Sequence, residues 1–264
     1  MYLPSFFISH GSPDIALMTE HPTYRFLQEL PKTFSQPDAI VIFSAHWCTE
    51  HVMVSMADRH KAIYDFGGFD PRLYAMTYEP KGQPELAREV HTLLEKVDGK
   101  AELVNTSGLD HGVWILLKLM YPKADIPVVQ VSIQPDRPLG YHYNLGSALA
   151  ELRKKNILII GSGAMTHNLY ELSRYEHDAA PPGWVSVFAN WMKERLEAGE
   201  KDTVLQYRKL SPHALENHPT EEHLQPLFIA MGAGDGGIAK RIHTASTYGT
   251  IMMDAYKFTG IAAG

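Results

Sequence analysis

The side chains best suited to chemistry in this 264-residue chain are its histidines, of which there are 14. Histidine is the commonest metal ligand in proteins and a frequent proton donor or acceptor near neutral pH. Four of them lie within four residues of glycine or serine, residues that let the backbone turn tightly or approach a bound group: His10, His46, His111 and His167. A single histidine of this kind is more often a surface or hydrogen-bonded core residue, so its place in the fold decides its meaning.

The elements that precede these histidines are predicted to be buried strands. Four short segments are rich in valine, isoleucine and phenylalanine and are bounded by glycine, proline or serine: Leu3–Ile8, Ala39–Ser44, Pro127–Ser132 and Ile157–Ile160. His10, His46 and His167 follow the first, second and fourth of these segments. In open α/β sheets, ligands bind at the carboxyl ends of the strands. Three strand-end histidines, together with the glycine-flanked His111, therefore favour a metal site.

Segments with helical spacing of apolar residues alternate with the strands. Three of them each present one apolar face: Leu86–Val97, Leu145–Leu152 and Trp184–Trp191. This alternation predicts an α/β fold with a mostly parallel central sheet flanked by helices. The segments Arg241–Thr247 and Gly249–Phe258 predict a C-terminal antiparallel hairpin that turns near Tyr248. Because no repeat, linker or low-complexity tract interrupts the chain, we expect a single domain over residues 1–264.

A fifth candidate ligand is His223, which is expected in the turn that leads into a helix at Pro226–Met231. Imidazole suits zinc, iron, copper and nickel, so the type of ligand does not name the metal. The chain contains neither an HExxH nor a CxxC motif, which argues against the common zinc-protease and zinc-finger patterns. Ligands that are dispersed along the chain are typical of a catalytic site assembled by the fold.

Several neighbouring residues each allow two interpretations. Asp110 either orients the adjacent His111 or caps the helix that follows. The segment Gly161–Gly163 is interpreted as a tight turn between strand and helix, because it is too short for a dinucleotide-binding motif. Cys48 is either a nucleophile or a buried thiol. The aromatic segment Tyr64–Phe69 either lines a pocket or packs as a loop.

Composition and charge disfavour several other classes of protein. Hydrophobic residues make up 45% of the chain and charged residues 20%, which is enough for a buried core. The net charge is −6 and the basic residues are scattered, so we expect no nucleic-acid binding. Uninterrupted apolar runs reach only five residues, as in Ala39–Phe43, so no membrane span is expected. One cysteine, and the lack of a basic stretch in Met1–Phe7, predict a reducing, cytoplasmic location.

Short motifs around the candidate residues occur in a specific order between residue 10 and about residue 223. They are His10-Gly-Ser-Pro, Ser44-Ala-His46-Trp, Tyr64-Asp-Phe-Gly-Gly-Phe, Asp110-His111-Gly112, Thr166-His167-Asn168-Leu169 and His218-Pro219-Thr220-x-x-His223. In this order they resemble the LigB-type class III extradiol ring-cleavage dioxygenases. The resemblance is greatest to the small single-chain branch that is similar to DOPA 4,5-dioxygenase, and it covers most of the chain.

This resemblance implies a mononuclear non-haem site with Fe(II) as the active metal. His10, His46 and His223 match the metal ligands of that branch. His167 matches the acid/base histidine and is expected near enough to the metal to be an additional ligand. His111 matches a histidine that contacts the substrate, so the resemblance implies catalytic roles for His111 and His167.

The third ligand departs from the broader family, which uses a glutamate to complete a two-histidine, one-carboxylate triad. Glu221 or Glu222 is therefore an alternative to His223. An all-histidine site would be one unit more positive, and it is expected to accept Zn(II) as the isolated metal.

The implied reaction takes a DOPA-like catechol and O2 to a ring-opened semialdehyde. Deprotonation of the diol is easier at a Lewis-acidic metal, and a neutral histidine near pH 7 accepts the remaining proton. Two alternatives use the same residues. One is a zinc-dependent hydrolase that generates hydroxide, and the other is a non-catalytic, Memo-like protein that binds a metal or ligand.

Overall fold

The computed structural model describes residues 2–234 and 236–260. These residues form twelve strands, β1 (Ser5–Ser9), β2 (Ala39–Cys48), β3 (Met53–Ser55), β4 (Lys61–Ala62), β5 (Glu102–Val104), β6 (Gly108–Leu109), β7 (Val128–Ile133), β8 (Ile157–Gly163), β9 (Ile238–His243), β10 (Ser246–Thr247), β11 (Ile251–Met252) and β12 (Ala255–Thr259). The α-helices are α1 (Pro22–Glu29), α2 (Pro71–Tyr74), α3 (Pro84–Asp98), α4 (His111–Met120), α5 (Leu139–Ala148), α6 (Gly183–Glu197), α7 (Lys201–Val204), α8 (Tyr207–Leu210), α9 (Ala214–Asn217) and α10 (Gln225–Ala233). Short 3₁₀ helices cover Pro13–Leu17, Leu30–Thr33, Ala150–Lys155 and Leu169–Arg174.

Eight of the strands form one sheet, in the order β5-β3-β7-β2-β8-β1-β12-β9. The four central strands β7, β2, β8 and β1 run parallel; β12 pairs antiparallel with β1, and β9 pairs antiparallel with β12. Near the C-terminus, β10 pairs with β11 around a turn that contains Tyr248 and Gly249, both with positive φ. The predicted fold class is therefore confirmed: a mostly parallel sheet flanked by helices, with an antiparallel C-terminal hairpin.

Helices cover both faces of the sheet because alternate residues of its central strands point in opposite directions. On β2, Ile40 and Ile42 belong to a core shared with α1 and α4, whereas Val41 and Phe43 belong to a second core shared with α3, α5 and α10. A third core packs α6 and α10 around Phe7 of β1. A strand that is buried on both faces is mostly apolar, which is the pattern that predicted these strands.

The segment Gly161–Gly163 is the last part of β8, so its interpretation as a turn is wrong. Its glycines are required because the backbone just before α10 and in its first turn packs closely against this part of the strand. A Cβ on Gly161 would lie 2.1 Å from the carbonyl oxygen of Pro226, and one on Gly163 would lie 2.1 Å from that of His223. Two glycines on one face of the strand therefore bring His223 against the sheet.

The predictions about domain number, membrane spans, cellular location and nucleic-acid binding have different outcomes. The single domain over residues 1–264 stays a prediction, and Met1, Asp235 and residues 261–264 lie outside the described residues. Within the described ranges, no helix is both long enough and apolar enough to cross a membrane. The cytoplasmic location and the absence of nucleic-acid binding also stay predictions.

Fully buried histidines are expected to make the stability of the metal-free protein depend on pH. His142 of α5 is one of them, and burial lowers its pKa to about 4. Above pH 6.5, His142 is neutral in the folded and the unfolded chain; below it, the unfolded chain binds the proton first, so stability falls. Relative to His142→Gln, the wild-type free energy of unfolding should fall by up to about 1.4 kcal/mol per pH unit between 6.5 and 4. Urea unfolding of both proteins at several pH values measures this, and parallel curves would contradict it.

Candidate metal centre and active site

The structure brings all five predicted histidines to the carboxyl edge of the parallel strands. His10 follows β1, His46 lies near the end of β2, His167 follows β8, His111 begins α4, and His223 precedes α10. The ring centres of His46 and His111 are 4.1 Å apart, those of His10 and His46 4.9 Å, and those of His10 and His223 5.5 Å. His167 stacks on His223 with the ring centres 3.4 Å apart. The cluster is formed by residues that are far apart in the sequence and meet at one strand edge.

Three of these histidines direct ring nitrogens at a common point. Donor atoms of His10, His46 and His223 all lie within 4.8 Å of one another, and the Nε2 atoms of His10 and His46 are 3.0 Å apart. His10 and His223 are buried, and the His46 side chain is 22% exposed. Converging imidazole nitrogens are the donor set of zinc, iron, copper or nickel.

The tautomer of His10 is set by Ser162 at the end of β8. The Ser162 hydroxyl donates to the carbonyl oxygen of Gly112 over 2.6 Å, so its oxygen accepts from Nδ1 of His10, which is 2.9 Å away. With the proton on Nδ1, the Nε2 lone pair of His10 faces His46 and His223. A partner of this kind orients a metal-binding histidine and sets which nitrogen is free to coordinate.

Replacing Ser162 by alanine should therefore weaken metal binding without removing a ligand. The His10 ring loses the acceptor for its Nδ1 proton, and we expect the metal affinity to fall by roughly 10- to 100-fold. Competition with a chelator measures the affinity. Ser5→Ala is the matched control, because Ser5 is also a buried strand serine with one hydrogen bond to a carbonyl, but that carbonyl belongs to Ala230. Equal affinities of the two variants would contradict the role of Ser162.

His223 has one nitrogen engaged and one free. Its Nδ1 donates to the Glu222 carboxylate over 2.9 Å, and its Nε2 is buried without a hydrogen-bond partner among the described residues. A buried polar atom of this kind costs free energy unless a ligand pairs with it. Glu221 instead accepts from the hydroxyl of Tyr207 at 2.9 Å. The orphaned nitrogen supports a metal at this point, and it favours His223 over either glutamate as the third ligand.

In two further groups the donor atoms also lie within 4.8 Å of one another, and each group includes a carboxylate. They are His46–Asp65–His111 and His167–Glu222–His223. In both groups the carboxylate already accepts a hydrogen bond from a histidine of the group, Asp65 from His111 and Glu222 from His223. The carboxylates therefore orient imidazoles, whereas the nitrogens of His10, His46 and His223 remain directed at one another.

Burial keeps the clustered imidazoles neutral. It lowers the pKa of His10 and His223 well below 6.5, that of His46 to about 3 and that of His167 to about 4, and mutual repulsion between the protonated rings adds to the effect. A metal binds only the deprotonated nitrogen. The site is consequently in the form that coordinates a metal at pH 7.

His111 is held by Asp65, a residue that the sequence analysis did not single out. One Asp65 oxygen accepts from the backbone nitrogen of His111 at 2.9 Å, and the other accepts from its Nδ1 at 3.0 Å. Burial alone would raise the pKa of Asp65, but the hydrogen bonds from His111 lower it. Asp65 thus caps α4 and orients the imidazole of its first residue. Its position in the aromatic motif Tyr64–Phe69 was the available signal.

Both interpretations of Asp110 are therefore wrong. Its carboxylate makes no capping hydrogen bond and instead accepts from the Ser44 hydroxyl at 2.7 Å and from the Gln130 side-chain amide at 2.7 Å. Burial raises the pKa of Asp110 to about 6. Asp110 thus ties β2 and β7 to the start of α4.

Cys48 is neither a buried thiol nor an activated nucleophile. It is exposed, and its thiol donates to the carbonyl oxygen of Ala45 over 3.3 Å. Partial desolvation and the charges of Glu222 and Asp110 raise its pKa to about 11, so the thiol is protonated at neutral pH.

A cavity of about 700 Å³ opens from the histidine cluster. Asp65, Phe66 and Phe69 line one side, which supports the pocket interpretation of the aromatic segment. The ring of Phe66 is edge-on to that of His111, with the ring centres 5.8 Å apart. A cavity of this size, with apolar walls and a few convergent polar groups, is typical of a small-molecule site.

Comparison with known proteins agrees with this geometry. Residues 4–258 match the LigB family, described as the catalytic LigB subunit of aromatic ring-opening dioxygenase. The 4,5-DOPA dioxygenase extradiol of Beta vulgaris is 42% identical over 97% of this chain and 96% of its own length, and that of Escherichia coli (strain K12) is 36% identical over 89% and 86%. The crystal structure of an uncharacterized Escherichia coli K12 protein superposes with a TM-score of 0.79 at 29% identity, covering 97% of this chain and 99% of the other. On the strength of the family match and of relatives that are similar over nearly their full length, this chain belongs to the LigB family of aromatic ring-opening dioxygenases.

Proposed function

We propose that this chain is an extradiol dioxygenase that opens the ring of a DOPA-like catechol with O2 at a mononuclear non-haem metal site. The observation that carries the proposal is the convergence of the His10, His46 and His223 nitrogens beside a cavity large enough for a single aromatic ring. The relatives named as DOPA dioxygenases support the substrate class. The cavity next to the free nitrogens favours an enzyme over the non-catalytic alternative.

His10, His46 and His223 would hold the metal, with His167 beside it. When bound, the metal supplies Lewis acidity that lowers the pKa of the diol and brings the substrate together with O2. We propose Fe(II) for the active enzyme, since ring cleavage needs a metal that reacts with O2. Zn(II) is expected to occupy the same site during purification, because three neutral imidazoles suit zinc equally well.

His167 and His111 are proposed to handle the protons. Neutral His167, with its lowered pKa, is able to accept a proton from a catechol hydroxyl and to return it later in the reaction. Asp65 accepts from Nδ1 of His111, which leaves Nε2 of that ring available to hydrogen-bond the substrate. Phe66 and Phe69 provide apolar surface for the catechol ring.

The overall reaction inserts both atoms of O2 and needs no external electrons. The metal-free protein is first loaded with Fe(II) under anaerobic conditions, and catechol and O2 are then added. We therefore expect it to consume one O2 for each catechol and to form a ring-opened semialdehyde. An oxygen electrode and absorbance spectra measure both quantities. A requirement for NADH or ascorbate at each turnover would contradict ring cleavage.

A zinc-dependent hydrolase is the second candidate, because a three-histidine donor set also holds catalytic zinc. The two candidates differ in their need for oxygen. Two results together would favour the hydrolase. The zinc-loaded protein would hydrolyse members of a panel of esters and amides without O2, and the iron-loaded protein would cleave no catechol.

A further inference from the structure

The wall of the active-site cavity beyond the histidines is almost free of charge. Among the described residues that line it, Asp65 is the only acidic residue, and neither lysine nor arginine occurs. Most of the wall farther from the cluster is apolar or aromatic, with Leu169, Leu172, Tyr175 and Ile251 among its residues. The wall offers hydrophobic contact to a ring substituent and no cation to pair with an anion.

The charges next to this wall are mainly negative. Asp14 adjoins the lining residue Pro13 and accepts a hydrogen bond from the Tyr248 hydroxyl over 2.6 Å. Arg174, the last residue of the 3₁₀ helix Leu169–Arg174, lies between the lining residues Ser173 and Tyr175, but it already forms an ion pair with Glu171 at 2.7 Å. The one cation of that helix is thus neutralised within the helix.

We infer that the ring substituent of the catechol carries no net negative charge, an inference that rests on the proposed function. A carboxylate that enters the cavity gives up hydration without gaining a cationic partner from the wall, and the nearby charge of Asp14, on the hydroxyl of the lining residue Tyr248, opposes it. An alkyl substituent avoids both costs. An ammonium substituent also gives up hydration, but the nearby negative charge attracts it instead of repelling it. DOPA carries an ammonium and a carboxylate, so it ranks between these substituents and a purely anionic one.

Comparing three catechols with side chains of similar size separates the effect of the substituent's charge from the effect of its shape. They are 4-propylcatechol, which is neutral, dopamine, which is cationic, and 3-(3,4-dihydroxyphenyl)propionate, which is anionic. With Fe(II)-loaded protein, we expect kcat/KM for the first two to exceed that for the anion by about tenfold or more. Equal or faster cleavage of the anion would overturn the inference. Failure to cleave any of the three would instead contradict the proposed function.

Leu169 is a suitable position for adding the missing cation. It lines the cavity and is 55% exposed, so Leu169→Arg is expected to fold. We expect this variant to lower the preference for propylcatechol over the propionate by about fivefold or more. Leu215→Arg is the matched control, because Leu215 is 62% exposed, does not line the cavity and gains the same charge.

Circular dichroism and the unfolding temperature verify that both variants are folded. Equal preferences of Leu169→Arg and Leu215→Arg would overturn the argument from the cavity wall. The wild-type comparison of the three catechols remains decisive if Leu169→Arg proves unstable.

Discussion

His46→Ala is expected to purify without its metal and to lose at least about a thousandfold in kcat/KM. The variant removes one of three converging nitrogens, and the remaining pair, His10 and His223, offers too few donors for tight binding. The His46 side chain is partly exposed, so the truncation should cost little stability. Metal content per chain, measured by elemental analysis, and oxygen uptake with a catechol test the prediction.

His91→Ala is the control for this prediction. His91 is also a partly buried histidine, but its ring bonds to the carbonyl oxygen of Ala101 and lies outside the cluster. Added metal should raise the unfolding temperature of the wild type and of His91→Ala, and leave that of His46→Ala unchanged. Full metal occupancy in His46→Ala would remove His46 from the proposed ligand set. The same reasoning predicts metal loss for His10→Ala and His223→Ala.

His167→Gln and His111→Gln are expected to keep the metal and to lower kcat by about 10²- to 10⁴-fold. Glutamine is a hydrogen-bonding side chain that cannot exchange a proton at neutral pH. Metal content and kcat, measured together, separate a proton-transfer role from a ligand role. Loss of metal from His167→Gln would make His167 a ligand, which its stacking on His223 also permits. An unchanged kcat in both variants would remove the two residues from the mechanism.

Asp65→Asn distinguishes positioning from proton transfer in the same experiment. Asp65 holds His111 through two hydrogen bonds and does not itself need to exchange a proton. We expect a smaller loss in kcat than for His111→Gln, because the amide oxygen of asparagine still accepts one of the two hydrogen bonds. A loss as large as that of His111→Gln would show that the carboxylate charge is required.

The order of strands and histidines in the sequence was sufficient to predict where the site lies. Val, Ile and Phe runs identified β1, β2, β7 and β8 because strands buried on both faces are mostly apolar. Histidines at or just beyond three of those strands had to meet, since the carboxyl ends of parallel strands share one edge. The sequence by itself therefore determined the fold class and the cluster of five histidines.

Only the tertiary structure decided how the histidines are oriented and what surrounds them. Sequence adjacency suggested that Asp110 serves His111, whereas the chain path places Asp65, 46 residues away, against that ring. Ser162 sets the tautomer of His10 across 152 residues, and its flanking glycines admit the backbone around His223. Such contacts arise from the packing of separate elements, and local sequence patterns report only which element forms. The charge of the cavity wall likewise depends on side chains from several loops that only the folded chain brings together.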